Sequence, residues 1–288
     1  MYINDLPQCV GSTPRLFADD CILYRDVNTH QDAAALQSDL TSLQDWEKMW
    51  LMEFAEDKCK VLRITRKTSR NIILHNYEIH GHFLESVEEG KYLGITLQHK
   101  LSFTPHVNNT IKKAASIRQF LQRNLRGCSR EVKETGYKTF VRPVLEYAST
   151  AWDPVGKSTL RHSLEAEQNR AARFVVGDFR RSSSVTAILN QLQWQSLAER
   201  RARARAVMMY KILNDLVVVP RDFLASSPTP SVTRGAPLKL LIPQARTDIY
   251  RTGFVVSSSM LWNRLPPAVS QAGSIDTFRG QLALVRLT

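Results

Sequence analysis

The spacing of apolar and polar positions changes several times along the chain, and each change predicts a different kind of element. Residues 14–25, Pro-Arg-Leu-Phe-Ala-Asp-Asp-Cys-Ile-Leu-Tyr-Arg, read as two apolar strands around an Asp-Asp turn. Leu16, Phe17 and Ala18 enter the turn; Cys21, Ile22, Leu23 and Tyr24 leave it. A helix of roughly 25 residues follows, with Thr29 as N-cap and Asp32 in the capping-box position. Leu36, Leu40, Leu43 and Trp50 fall on one face of it, and Asp39, Glu47 and Lys48 are expected off that face. Over 59–98 the period shortens. Val61-Leu62-Arg63-Ile64, Ile72-Ile73-Leu74 and the run from Lys91 to Leu97 are short and β-rich, which predicts a small antiparallel sheet with turns near Gly81 and Gly90.

From residue 104 the pattern is helical. Thr104-Pro105 reads as an N-cap followed by proline at the first helical position. Val107, Ile111, Ala114, Leu121 and Leu125 line the inner face of this helix, and Lys112, Lys113, Arg118, Arg123 and Arg126 cover much of the rest. A second helix starts near Ser129 and carries Val132, Tyr137, Phe140, Val144 and Tyr147; Pro143 must kink or break it, because proline removes a backbone donor. A third runs from about Ser158 to Val176 with Leu160, Leu164, Ala171 and Phe174, and a fourth from Leu197 to Leu213 with Arg200, Arg201, Arg203 and Arg205. Residues 214–247 read as loop, punctuated by Pro220, Ser226-Ser227-Pro228-Thr229-Pro230, Gly235, Pro237 and Pro243. After a Val255/Val256 run and Trp262-Asn-Arg-Leu-Pro-Pro, a last short helix capped by Ser274 carries Phe278, Leu282 and Val285.

Composition narrows the class. The chain has 288 residues, 43% apolar and 23% charged, with 12 Gly and 12 Pro, which suits one large domain or two small ones and excludes a disordered or collagen-like chain. No apolar run approaches the ~20 residues of a membrane span, and the start lacks the basic and apolar regions of a signal peptide, so an intracellular setting is expected. Cys9, Cys21, Cys59 and Cys128 form no C-x-x-C pair, so neither zinc nor disulfides are expected, only odd buried thiols. The five tryptophans are expected mostly in the core. The net charge of +12 is uneven: residues 1–100 carry −4 and residues 101–288 carry +16. That asymmetry fits either a polyanion-facing surface in the second half or a generic solubilising one. The arginines at 200–205 likewise suit either a solvated face or nucleic-acid phosphates. No P-loop and no G-x-S-x-G context occurs.

Adjacent carboxylates are ordinary in turns. Asp19-Asp20 is less ordinary because both flanks read as buried strands that would hold the pair rigidly, and two close like charges with hard oxygen donors suit Mg²⁺. Phe17-Ala18-Asp19-Asp20 resembles the aspartate-pair motif of reverse transcriptases, and Tyr2-Ile3-Asn4-Asp5-Leu6-Pro7 resembles the segment leading to it in non-LTR retrotransposons. The likeness continues in order. Asp57-Lys58-Cys59-Lys60-Val61-Leu62 is similar to the palm segment that contributes a lysine near the incoming nucleotide, and Tyr92-Leu93-Gly94-Ile95 to the primer-grip hairpin. The stretch from Tyr137 to Ala148, Ala151-Trp152-Asp153-Pro154, Arg170-Ala171-Ala172-Arg173-Phe174 and Trp262-Asn263-Arg264-Leu265-Pro266 resemble the thumb and post-thumb region of jockey-like elements.

The resemblance implies an α+β fold: a small incomplete antiparallel palm sheet with a helix, then a mainly helical thumb and post-thumb region. It implies a partial palm over 1–100, helices over 101–213 and a loop-rich tail with a short terminal helix over 214–288. Asp19 would be a metal-binding carboxylate and Asp20 its partner at the metal site, supporting the site more than holding the metals, with Mg²⁺ as cofactor. Lys58 would be a proton donor or charge stabiliser, or else a surface lysine beside Asp57. Tyr92, Leu93 and Gly94 would grip the primer end. Lys112, Lys113, Arg118 and Arg123 would lie along an RNA template and DNA primer, and no membrane is implied. A complete palm also needs an earlier aspartate and the fingers, which this sequence does not contain. It therefore reads as the C-terminal part of an RNA-directed DNA polymerase, inactive alone and with a partly exposed hairpin face, or as a non-enzymatic basic RNA- or DNA-binding remnant.

Overall fold

The Asp-Asp segment folds as expected. β1 (Thr13–Phe17) and β2 (Asp20–Tyr24) pair antiparallel, with Phe17 opposite Asp20 and Leu16 opposite Cys21. The computed structural model describes residues 2–65, 72–219, 224 and 239–288. The chain divides into two units, Met1–Ser102 and Phe103–Thr288. The proline- and serine-rich positions expected as loop at 220, 226–230, 235 and 237 lie outside the described residues.

In the first unit, α1 (His30–Trp50) begins at Thr29 with the expected capping box: the Thr29 hydroxyl accepts from the Asp32 amide, and Asp32 accepts from the Thr29 amide. Leu6, Leu43 and Trp46 form the core, and Leu16, Cys21 and Leu23 of the hairpin pack against it with Leu40 and Trp50. Phe17 and Tyr24 point to solvent, as expected for a hairpin with one covered face. The expected polar face of α1 is corrected in two places. Asp39 and Glu47 are buried, because each lies three or four residues from Leu43 and so on the apolar stripe.

The region after α1 differs from the expected single antiparallel sheet. β3 (Lys60–Leu62) pairs in parallel with β6 (Glu85–Val87). β4 (Glu78–Ile79) and β5 (His82–Phe83) form a hairpin, and β7 (Glu89–Tyr92) and β8 (Ile95–Gln98) form another. Gly81 turns the first with φ of +77°. Gly90 sits inside β7, and the second turn falls at Leu93-Gly94, both with positive φ, the signature of a two-residue hairpin turn matched to strand twist. Ile72, Ile73 and Leu74 are not in a strand.

The second unit is helical. α2 (Thr104–Asn124) starts one residue earlier than expected, with Phe103 as N-cap and proline at the second position. α3 (Arg130–Gly136), capped by Ser129, runs into a π-helical turn, Tyr137–Val141, and then α4 (Arg142–Glu146). The wider turn absorbs the donor that Pro143 lacks without ending the helix. It also rotates the inner face: Gly136, Tyr137, Val141 and Leu145 are buried, whereas Val132, Phe140 and Tyr147 are exposed. α5 (Ser149–Trp152) precedes α6 (Ser158–Val176), α7 (Val185–Gln191) and α8 (Leu197–Leu213).

The expected loop-rich tail is corrected. α9 (Asp248–Thr252), α10 (Phe254–Trp262), α11 (Pro267–Ser270) and α12 (Ile275–Ala283, capped by Ser274) belong to the same unit. Leu261, Trp262, Leu265, Val269, Phe278 and Leu282 share one core with Ala202, Ala206, Met209 and Tyr210 of α8. Trp46, Trp152 and Trp262 are buried, as expected. The cysteines are not: Cys9 is exposed and the other three half-buried. The architecture is α+β, as the sequence predicts. No helix among the described residues is long and apolar enough to cross a membrane.

Candidate functional site

The open end of the hairpin, opposite the Asp-Asp tip, is held by a carboxylate of α1. The Gly11 and Ser12 amides each donate to Asp39 at 2.8 Å, fixing the backbone that enters β1. Asp5 accepts from the indole nitrogens of Trp46 (2.9 Å) and Trp50 (3.1 Å). Hydrogen bonds to an ionised carboxylate are stronger than neutral ones, and the Ser12 amide makes its bond while buried. Asp39 and Asp5 are the positioning residues that reading the sequence missed.

At the tip, Ala18 has φ of +52° and Asp19 follows it in the turn, while Asp20 opens β2. Both aspartates are exposed, and neither carboxylate makes a hydrogen bond or ion pair among the described residues. They are thus oxygen ligands not engaged elsewhere. Tyr92 comes close enough to Asp20 and Cys21 that burial first, and then their negative charge, push its phenol above the ordinary value. Tyr92, at the end of β7, therefore lies near the tip of the aspartate hairpin. Leu93 and Gly94, the remaining primer-grip candidates, form the β7–β8 turn.

Lys58 is exposed in a short 3₁₀ turn, Glu56–Lys58. Burial raises the thiols of its neighbour Cys59 and of Cys21 in β2; Cys59 adds to the rise at Cys21, and Glu47, Asp57 and Glu56 add to that at Cys59. No contact joins Lys58 to Asp19 or Asp20 among the described residues.

The basic candidates of α2 divide. Lys112, Lys113 and Arg123 are exposed and unpaired among the described residues. Lys112 and Arg123 are separated by three helical turns and share a face, about 16 Å apart along the axis. Phe120 stands exposed beside them. Arg118 is a correction: it is buried, with Nε 2.9 Å from Glu167 and Nη1 2.8 Å from Gln122. It lies four residues after Ala114 and three before Leu121, on the inner stripe, so its charge is taken up between α2 and α6.

The arginine run of α8 follows neither of the two readings left open for it. Arg201 is fully buried against Asp153 at 2.9 Å, and Arg205 is buried with Nε 3.2 Å from the same carboxylate. Arg200 makes a paired bond to Glu146, and Arg203 reaches Glu199 at 3.1 Å. These side chains tie α8 to its neighbours.

Among known proteins, the chain is 31% identical over 163 residues to the probable RNA-directed DNA polymerase from transposon BS of Drosophila melanogaster, a match covering 55% of this chain and 18% of that protein. It is 25% identical over 188 residues to the probable RNA-directed DNA polymerase from transposon X-element of the same organism, covering 62% and 20%. It is 25% identical over 148 residues to the RNA-directed DNA polymerase from mobile element jockey, covering 50% and 16%. The matches thus span a fifth or less of each relative. No family model matches the chain, and no solved structure matches it. The resemblance drawn from the motifs is borne out: this chain is related in sequence to non-LTR retrotransposon reverse transcriptases.

Proposed function

We propose, from that kinship and the geometry of the hairpin, that this chain supplies the aspartate-pair hairpin, the primer-grip hairpin and a nucleic-acid-facing helical region to an RNA-directed DNA polymerase. The observation that carries the reading is the hairpin, in which two adjacent, unengaged carboxylates sit at the turn while Asp39 fixes the backbone that enters β1 at the other end. Their donor chemistry fits Mg²⁺, which is commonly held by one or two carboxylates together with water and substrate phosphates. Mg²⁺, when bound, activates the attacking oxygen and stabilises the leaving one. Asp19 and Asp20 would hold it; Tyr92, Leu93 and Gly94 would place the primer end; Lys58 would offset charge on the leaving group. Lys112, Lys113 and Arg123 would run along the phosphates of an RNA template and DNA primer. We assign the work to the cell interior, where nucleic acid and nucleotides are found.

A second reading has its own observation. Among the described residues, no group of three His, Cys, Asp or Glu side chains gathers into a metal site. With two carboxylates alone, positioning of the reacting atoms is incomplete, and catalysis of phosphoryl transfer is chiefly positioning and charge stabilisation. The chain as it stands would then bind RNA or DNA without extending a primer.

Paramagnetic broadening by Mn²⁺ separates these ideas. In the presence of an RNA–DNA primer-template, broadening is expected around residues 17–22 and is lost in Asp19→Asn/Asp20→Asn. Primer extension by the chain alone is expected to be absent. Broadening that spares the hairpin would remove the metal-binding proposal. Extension that depends on Asp19 would remove the second reading.

A further inference from the structure

The second unit contains a cavity of about 420 Å³ whose lining includes Arg161, Arg205, Arg251 and Arg264. That volume suits a ligand of nucleotide size. The deepest of the four is Arg205. Its Nη1 donates to the Ser257 hydroxyl at 2.9 Å, and its Nε lies 3.2 Å from Asp153 without a hydrogen bond. Behind it, Arg201 spends its Nε on the same Asp153, and both of its terminal nitrogens lack hydrogen-bond partners, with Glu165 no closer than 4.0 Å. Buried guanidinium donors left unmet are costly.

The local carboxylates do not balance this charge. Asp153 is shared by two arginines, and Asp248 engages Arg251 only at 3.4 Å on an exposed surface. Glu199 is taken by Arg203 and by the backbone amides of Leu287 and Thr288, and Arg286 holds the Thr288 carboxyl-end oxygen at 3.0 Å. Arg161 and Arg264 have no ion pair among the described residues. Crowding shows in Arg205 itself: burial first, and then the nearby Arg201 and Arg161 charges, work against its protonation, opposed by Asp153. Val155, Met260 and Leu261 supply an apolar wall beside the guanidiniums.

We propose that this cavity, formed by α6, α8, α9 and α10, binds a phosphomonoester of nucleotide size, with Arg205 at its base, Arg161, Arg251 and Arg264 around the phosphate and the apolar wall against the base or sugar. Guanidinium forks match phosphate oxygens in geometry. The phosphomonoester could come from a free mononucleotide or from the 5′-phosphorylated end of a nucleic-acid strand; the recognising chemistry is the same. None of the cavity's lining residues belongs to the aspartate hairpin or to α2.

The test is equilibrium binding of AMP, adenosine, and a short oligonucleotide with and without a 5′-phosphate, to the full chain and to Arg161→Gln/Arg264→Gln. These two arginines are unpaired, so the double variant should fold. AMP is expected to bind saturably and adenosine much more weakly, and the double variant should lose about tenfold or more in AMP affinity. A 5′-phosphate that strengthens oligonucleotide binding identifies the strand end as the source; AMP binding without that gain identifies the free nucleotide. Lys112→Ala/Lys113→Ala/Arg123→Ala should leave AMP binding unchanged. AMP binding no better than adenosine, or an undiminished affinity in the double variant, overturns the proposal.

Discussion

α2 and α8 are both long helices with several lysines and arginines, yet they use them in opposite ways. On α2, Lys112, Lys113 and Arg123 face solvent without partners among the described residues. On α8, Arg201 and Arg205 lie inside the unit, and Arg200 and Arg203 are paired at its edge. The difference is the supply of carboxylates. Glu146 and Glu199 meet Arg200 and Arg203, and one carboxylate, Asp153, is divided between Arg201 and Arg205, whereas on α2 only Arg118 finds one, Glu167. A basic run faces solvent along its length only where such internal partners are missing. The first unit shows the same contrast in negative charge: Asp39 is turned inward onto two amides, and Asp19 and Asp20 are turned outward and unengaged.

The largest expected effect lies on the inward side. Arg201→Ala leaves Asp153 buried with only Arg205 beside it, and breaking a buried pair on one side costs about 3–5 kcal/mol. Lys112→Ala, at a solvated position, should stay within about 0.5 kcal/mol of wild type. Urea unfolding of both variants checks the comparison. A loss under about 1 kcal/mol for Arg201→Ala would mean that the interior arginines contribute little to holding α8 in place.

The outward side predicts binding rather than stability. Each neutralised phosphate contributes about 0.9 to the salt slope on duplex DNA and about 0.7 on single strands. Lys112→Ala/Lys113→Ala/Arg123→Ala should therefore flatten the slope for an RNA–DNA hybrid by about 2 to 3. Restoring the lysines while changing Arg118→Gln should leave it nearly unchanged. A slope that the triple variant does not alter would mean the α2 face is only solvated.

Local signals were legible in the sequence and partnerships were not. The Thr29/Asp32 box, the ends of α6 at Ser158 and Val176, and those of α8 at Leu197 and Leu213 depend on residues within a few positions of one another, and the structure keeps all of them. The Asp-Asp hairpin was equally local. What went unread was which charges turn inward, because their partners are distant: Arg118 finds Glu167, and Arg201 finds Asp153. Yet a trace was present. Arg118 falls between Ala114 and Leu121, Asp39 between Leu36 and Leu43, and Arg201 one turn after Leu197, all on apolar stripes. A charge on such a stripe is a buried charge that needs a partner. The parallel pairing of β3 with β6 carried no comparable trace, since strands of three residues do not encode direction.

The smallest effect sharpens the contrast within the first unit. Glu47 is buried on α1, accepts from the Phe54 amide and lies 2.7 Å from His80 Nε2; Glu56 lies 3.4 Å from His80 Nδ1 and also 3.4 Å from His82. The Glu47 hydrogen bond, outweighing the opposing burial, raises the His80 imidazole above its ordinary value of 6.5, with Glu56 adding to the rise. A folded-state value above the unfolded one means the folded chain binds the proton more tightly. The stabilisation is therefore complete below about 6.5 and is lost as pH rises through the raised folded value. Cys21 and Cys59, both pushed up by burial, stay protonated over that window and do not confound it. The urea midpoint of the wild type should fall between pH 6 and pH 8, while His80→Gln, which can still hydrogen-bond to Glu47 but does not titrate, should show a flatter profile. A wild-type midpoint that rises over this range, or a His80→Gln profile as steep as wild type, would mean that Glu47 is held by the Phe54 amide alone, and that the inward carboxylates of α1 are satisfied by backbone just as Asp39 is.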